Sequence, residues 1–237
     1  MDVSAPIYRL KRLARKLART RKIPLNRALD ETAQQEGYRT WGHLSRAANK
    51  TSPAARLWRH LERGDMMILG SRPGHGKTSL ALDLLEHANK HGCATWFFTL
   101  AESAEGTRDI FANSHHGRGQ SSSPFKIDTS DNICTDHIIS ELGERPSDAV
   151  VAIDYLQALD QRRTTASLAQ QISTLKDYCR RLGIRAVVIS QVTRDFDASS
   201  EPMPSLKDIR LPNPLDLSNF SKACFIHEGQ ITLAKVA

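Results

Sequence analysis

Residues 70–79, GSRPGHGKTS, constrain the fold of this chain more than any other segment. They follow the apolar run MMIL at 66–69 and precede an amphipathic stretch that begins near Ser79. A strand, a glycine-containing loop and a helix in that order are typical of a phosphate-binding loop, because loop N–H groups and the helix N-terminus both face the phosphates. The pattern predicts a nucleotide site at the end of a β-strand.

Individual residues of this loop have definite expected roles. Gly74 and Gly76 allow backbone conformations that turn successive N–H groups into one concavity. Lys77 is expected to reach the β- and γ-phosphates, and Thr78 is expected to supply a hydroxyl to Mg²⁺. The strict pattern has glycine six residues before the lysine, where this chain has Ser71. The residues expected to hold ATP are Ser71, Arg72, Pro73, Gly74, His75, Gly76, Lys77, Thr78 and Ser79.

Beyond Leu57, strand-like and helix-like patterns alternate along the chain. This alternation is typical of a mostly parallel sheet flanked by helices, so we predict an α/β fold. The expected strands are 66–69, 95–100, 149–153 and 185–190. The expected helices are 79–90, 134–142 and 167–182. Two later runs, 223–227 and 231–236, predict a terminal hairpin, and the polar stretch 112–124 predicts a surface loop.

Two further strand ends carry polar residues of interest. In AVVAIDYLQ, residues 149–157, Asp154 ends an apolar strand and is expected to hold Mg²⁺ directly or through water. The alternative is an ordinary cap or turn residue. In VVISQVTRD, residues 187–195, Gln191 is expected to sense the γ-phosphate or align the attacking water, the alternative being a polar strand end.

The first 50 residues form a distinct segment, which we predict to be a small helical module. Apolar residues at helical spacing predict a first helix that Pro24 ends, and a second helix is expected from about 26 to 35 with Gly37 after it. A third, around 41–47, is expected to return Trp41 and Leu44 to the first two. The apolar stripe of the first helix comprises Ile7, Leu10, Leu13 and Leu17.

This module also holds the whole basic excess of the chain. Residues 1–50 contain 12 Lys and Arg against 4 Asp and Glu, whereas residues 51–237 contain 21 against 22. One interpretation is a solvated helix face. The other is a patch that binds the phosphates of single-stranded or duplex DNA through counterion release. We therefore predict two domains, 1–50 and 51–237.

Together, RPGHGKTSLA, IDYLQ and SQVTR resemble the RecA-like ATPase domain of DnaB-type replicative helicases. LKDIR at 206–210 and the strand ACFIH are also similar to later segments of that family. The resemblance runs from about Leu57 onward. It implies a RecA-like P-loop core, ATP with Mg²⁺, hexameric rings and single-stranded DNA in a central channel.

The chain departs from this family at two catalytic positions. The family has a catalytic Glu just past its second strand, where this chain has Ala101, with Glu102 one residue later. Either Glu102 reaches the water from the loop, or the base is absent. The family also places an arginine finger in a Lys-x-Arg pattern after a terminal strand. Lys235 matches the lysine and Ala237 stands at the arginine, with Arg194 and Arg210 as candidate substitutes.

Two functions are compatible with this sequence. The chain is either an ATP-hydrolysing motor or remodeller that acts on DNA, or a nucleotide-dependent binding protein with little turnover. A vestigial site is disfavoured because Lys77, Thr78, Asp154 and Gln191 are all present. The departures favour slow hydrolysis by the chain alone, with a second copy or a partner ATPase supplying missing groups.

Composition narrows the setting further. No apolar run approaches the roughly 18 residues that span a bilayer, so we expect no membrane association. The N-terminus lacks the apolar core of a signal peptide. The four cysteines lie more than 40 residues apart, too far to form a local metal-ligand pair, which is typical of a reduced, cytoplasmic protein.

Overall fold

The computed structural model divides the chain into two compact units, Met1–Arg56 and Leu57–Ala237. Its backbone is described for residues 7–100, 124–144, 148–160, 166–199, 201–211 and 213–236. The predicted surface loop at 112–124 lies outside these ranges except for Pro124.

The first unit contains three helices, α1 (Ile7–Arg21), α2 (Leu25–Gln35) and α3 (Trp41–Thr51). Leu10, Ala33 and Leu44 form its core, and Tyr38 and Trp41 pack against them. The predicted return of Trp41 and Leu44 to the first two helices is therefore confirmed. Each helix contributes one side chain to this cluster, and one of the three is only an alanine, so the core is small.

The predicted apolar stripe of α1 is partly wrong. Leu13 is 56% exposed, whereas its neighbour Ala14 is fully buried. Ala28 of α2 is also fully buried, and α1 and α2 pack against each other, so small side chains allow the two helices to approach closely. The prediction at Gly37 is confirmed: with φ of +82° it follows α2 and donates its N–H to the Gln34 carbonyl.

The second unit is built on one seven-stranded sheet. Its order is β3-β2-β4-β5-β1-β6-β7, in which only the β6–β7 pair is antiparallel. The strands are β1 (Met66–Ser71), β2 (Ala94–Thr99), β3 (Phe125–Asp128), β4 (Ala149–Asp154), β5 (Arg185–Gln191), β6 (Lys222–His227) and β7 (Gln230–Lys235). The helices are α4 (Pro53–His60, which begins in the first unit), α5 (Lys77–Lys90), α6 (Thr135–Leu142) and α7 (Leu168–Leu182).

The burial of the strands follows their place in the sheet. β1 and β4 are buried along their whole length, as central parallel strands are, and the edge strand β7 alternates between partly buried and exposed residues. The predicted α/β fold, with a mostly parallel sheet, flanking helices and a terminal hairpin, is confirmed. β3 was not predicted from the sequence. None of the helices in the described ranges is long and apolar enough to cross a bilayer.

Candidate nucleotide-binding site

The loop between β1 and α5 has the backbone that a phosphate cradle needs. β1 ends at the buried Ser71 and α5 begins at Lys77. Gly74 and Gly76 between them have φ of +81° and +85°, and a Cβ at either position would meet nothing within 4 Å. Backbone conformation, and not lack of space, therefore requires glycine at these two positions.

The sheet order brings the three predicted motifs to one edge. β4, β5 and β1 are neighbours and parallel, so their carboxyl ends lie side by side. Ser71 is in register with Gln191, and Asp154 with Ile189, two residues before Gln191. In open α/β sheets, ligands bind outside the carboxyl ends of the strands. The three segments therefore meet where a nucleotide would be bound.

Thr78 and Asp154 are in direct contact. The Thr78 hydroxyl donates to Asp154 Oδ2 at 2.6 Å, and Asp154 is only 3% exposed. A hydroxyl and a carboxylate are hard oxygen donors of the kind that Mg²⁺ accepts. No three His, Cys, Asp or Glu side chains converge in the described ranges. The donor set thus fits a cation held by Thr78, Asp154 and ligand oxygens better than an all-protein metal cage.

Lys77 lies at the first turn of α5 and is half-buried. Burial, which removes water from the ammonium group, lowers its pKa. The nearby Asp154 carboxylate opposes this effect, and the Arg72 guanidinium adds to it. The result is a partly desolvated positive charge close to a second one. A phosphate anion would stabilise such a group, since it replaces the lost water with an opposite charge.

Gln191 contacts a segment that sequence reasoning did not connect with it. Its carbonyl accepts from the Arg210 backbone N–H at 2.7 Å, and its Oε1 lies 3.4 Å from Arg210 Nη1. The Gln157 side-chain amide donates to the Arg210 carbonyl at 2.8 Å. Gln157 Oε1 is buried without a hydrogen-bond partner among the described residues. Residues Gln157 and Arg210 therefore form the surroundings of the expected γ-phosphate sensor.

Two loop residues contact side chains far away in the sequence. Arg72 forms an ion pair with Asp197, with Nη2 and Oδ2 2.8 Å apart. The His75 ring stacks on the ring of His227, with centroids 5.3 Å apart. Neither Asp197 nor His227 was identified from the sequence, because each becomes a neighbour of the loop only when the sheet has formed. Pro73 and Ser79 are exposed.

The structure does not unite every expected catalytic residue. Glu102 and Ala101 lie outside the described residues. Arg194 is exposed on the 3₁₀ turn that follows β5. Arg210 is also exposed, and it alone of the two candidate substitutes for the arginine finger contacts an expected site residue in the described ranges. Lys235 ends β7 opposite Lys222, and Ala237 is outside the described residues.

Comparison with known proteins points to one family. Residues 108–214 match the family described as the DnaB-like helicase C-terminal domain. The replicative DNA helicase DnaB of Leifsonia xyli subsp. xyli is 30% identical over 181 residues, which are 63% of this chain and 40% of that helicase. The DnaB of Mycoplasma pneumoniae is 22% identical over 213 residues, 74% of this chain and 45% of that helicase. The chain therefore spans less than half the length of these relatives.

Two solved structures are similar in fold. One is an isolated ATPase domain, with a TM-score of 0.56 at 19% identity, covering 74% of this chain and 75% of that one. A DnaB-like replicative helicase, solved in a study of its interactions with primase, has a TM-score of 0.56 at 15% identity and covers 97% of this chain and 72% of that one. The resemblance is confirmed: this chain is similar to the RecA-like P-loop ATPase domain of DnaB-type replicative helicases.

Proposed function

We propose that this chain binds ATP with Mg²⁺ at residues 71–79 and hydrolyses it slowly while acting with nucleic acid. The observation that carries the proposal is the contact between Thr78 and Asp154, beside the partly buried Lys77. Two oxygen ligands from different segments of the sheet edge and one lysine therefore face the same phosphate-binding loop.

Each group has a separate task in this proposal. Thr78 and Asp154 would hold Mg²⁺, which when bound neutralises charge on the phosphates. Lys77 binds a phosphate oxygen by a charge-assisted hydrogen bond, and the loop N–H groups near Gly74 and Gly76 bind others. Gln191, at the end of β5, is placed to sense the terminal phosphate.

Slow hydrolysis is proposed because the sequence departs from its relatives where turnover is accelerated. Ala101 stands at the position of the family's catalytic Glu, and Ala237 at that of its arginine finger. An arginine finger contributes about 10³–10⁵ in rate to related phosphoryl transfers. The same departures support the second candidate function, a nucleotide-dependent binding protein without helicase activity.

An exposed face of α1 supports a role with nucleic acid. Arg12, Arg15, Lys16 and Arg19 are all exposed, and at about 100° per residue they fall within one sector of the helix. None of the four forms an ion pair in the part of the chain that the structure describes, whereas Arg21 and Arg27 both pair with Glu31. Four unneutralised charges on one face favour phosphate binding over a salt-bridged helix surface.

Steady-state hydrolysis with and without single-stranded DNA separates the two candidate functions. DNA-stimulated turnover supports the slow ATPase, and tight ATP binding with negligible turnover supports the binding protein. Strand displacement on a forked duplex tests unwinding. Native mass spectrometry with and without nucleotide tests whether the chain forms a homo-oligomer, as the resemblance to ring ATPases implies.

Asp154→Asn tests the metal site itself. We expect this variant to bind a fluorescent ATP analogue without the Mg²⁺ dependence of the wild type. Asp177→Asn, which removes a carboxylate from the exposed face of α7, is the matched control. Wild-type Mg²⁺ dependence in folded Asp154→Asn would show that this carboxylate does not hold the cation.

A further inference from the structure

Arg72, the first residue after β1, uses its guanidinium within the protein. Nε donates to both carboxylate oxygens of Asp197, at 2.9 and 3.0 Å, and Nη2 lies 2.8 Å from Oδ2. Nη1 donates to the Val192 carbonyl at 3.0 Å. The Arg72 side chain is 18% exposed and that of Asp197 is 51% exposed. This fork geometry is specific to arginine, because an ammonium group cannot reproduce its parallel donors.

Val192 is held on both sides by consecutive residues of the phosphate loop. Its N–H donates to the Ser71 carbonyl at 3.0 Å, and its own carbonyl accepts from Arg72. Val192 directly follows Gln191, the last residue of β5. The position of the expected γ-phosphate sensor relative to the loop is therefore set by the two hydrogen bonds to Val192.

A second set of contacts joins the same segments from another side. Phe196, next to Asp197 on the 3₁₀ turn, meets the His227 ring edge-on with centroids 5.1 Å apart. His227 stacks on His75, and His75 Nδ1 accepts from the Glu228 N–H at 3.4 Å. The turn after β5 thus reaches the loop through Arg72 and also through His227.

We propose that Arg72 is a positioning residue: paired with Asp197, it fixes Val192 and hence Gln191 against the phosphate loop, and it does not bind phosphate with its side chain. This inference rests on the proposed ATP site and deepens it. It assigns the side chain of Arg72 to the geometry of the loop, leaving Lys77 as the cationic side chain that contacts phosphate.

Three variants of the full chain distinguish positioning from phosphate binding: Arg72→Gln, Arg72→Lys and Asp197→Asn. In the ligand-free protein we expect amide hydrogen exchange in 192–198 to rise by about tenfold in each variant, a size typical of removing one charge-assisted hydrogen bond. Arg72→Lys should not rescue it. The double variant Arg72→Gln/Asp197→Asn should be no worse than either single variant, because both remove one interaction. Asp195→Asn, on the same turn, is the control.

Nucleotide measurements supply the second readout. ADP affinity should stay within about twofold of the wild type in all three variants, since a positioning residue does not contact the shared phosphates. The single-turnover hydrolysis rate should fall by about tenfold or more, as for a misplaced catalytic group. Weakened ADP binding in Arg72→Gln that Arg72→Lys restores, with Asp197→Asn unaffected, would overturn the proposal. Wild-type exchange in Asp197→Asn would overturn it as well.

The two proposals can fail separately. Absence of nucleotide binding by the wild type would overturn the proposed function, while the exchange experiment, which needs no nucleotide, would still decide whether Arg72 and Asp197 hold Val192.

Discussion

The two units of this chain solve different physical problems with very different amounts of core. The unit Met1–Arg56 packs three helices on Leu10, Ala33 and Leu44 and carries the whole basic excess. The unit Leu57–Ala237 buries a seven-stranded sheet and holds all the expected nucleotide-binding residues. A charged surface needs only a platform, whereas a phosphate site needs several strand ends fixed relative to one another. The contrast predicts that the units respond separately to substitution.

The largest expected effect is the loss of the small core in Leu44→Ala. Removing a buried leucine side chain costs about 2–5 kcal/mol, which the three-helix unit has little other apolar packing to offset. We expect circular dichroism to show a loss of helix while nucleotide affinity is retained. Leu13→Ala, at an exposed leucine, should change stability by no more than about 0.5 kcal/mol. Loss of nucleotide binding in Leu44→Ala would mean that the units depend on each other.

Neutralising the basic face of α1 should weaken DNA binding next most strongly. In Arg12→Gln/Arg15→Gln/Lys16→Gln/Arg19→Gln, the slope of log affinity against log salt should flatten by about 0.7–0.9 for each DNA phosphate that is no longer neutralised. Fluorescence anisotropy over a salt series measures this slope. Arg21→Gln/Arg27→Gln, which changes two arginines already paired with Glu31, should have a smaller effect. An unchanged slope would assign the face to solvent or to a protein partner.

Lys77→Ala should affect the other unit alone. Removing a charge-assisted hydrogen bond to phosphate, about 1.5–3 kcal/mol, should weaken binding of a fluorescent ATP analogue by about tenfold or more. Lys90→Ala, at the opposite end of α5, removes the same charge from an exposed position and serves as the control. Salt-dependent DNA binding through α1 should be unchanged. Wild-type ATP affinity in a folded Lys77→Ala protein would refute the assignment of Lys77.

The smallest expected effect is alkaline and belongs to the large core. Burial raises the pKa of the Cys179 thiol from 9.0 to about 12. Above pH 9 the unfolded chain releases this proton and the folded chain keeps it, so stability falls as pH rises from 9 towards 12. At pH 10 this thiol should account for about 1.4 kcal/mol of that loss.

Urea unfolding at pH 8 and pH 10 tests this prediction. The fall in unfolding free energy should be smaller in Cys179→Ala than in the wild type, with Cys134→Ala measured to account for the loss of a thiol as such. The small unit contains no cysteine. An equal pH dependence in Cys179→Ala and the wild type would show that Cys179 is not protected by the core.

Much of the fold could be predicted because the features concerned are local. β1 and β4 are continuous apolar runs, and a parallel sheet buries such runs on both faces. The edge strand β3 was missed because Phe125–Asp128 has only four residues, none of them fully buried. Only its register with β2, from Thr95 and Phe125 onward, identifies it as a strand.

The candidate site divides in the same way. Lys77, Thr78 and the glycines follow one another in the chain, so a motif reveals them. Asp197 lies 125 residues from Arg72, and the fork that joins them exists only because β1 and β5 are neighbours in the sheet. Similarly, helical spacing marked Leu13 as apolar but could not show that the small Ala14 would occupy the packed face.

The sheet order also determines when the nucleotide site can first exist during synthesis. β1 pairs with β5 and β6, so Met67 finds its partners in Val187 and Lys222, both made much later. Until the ribosome has released β6, the strand beneath the phosphate loop lacks one neighbour and exposes backbone groups able to pair with another chain. Such distant pairing forms slowly. A nascent chain of this protein therefore acquires its basic helices early and its phosphate loop last.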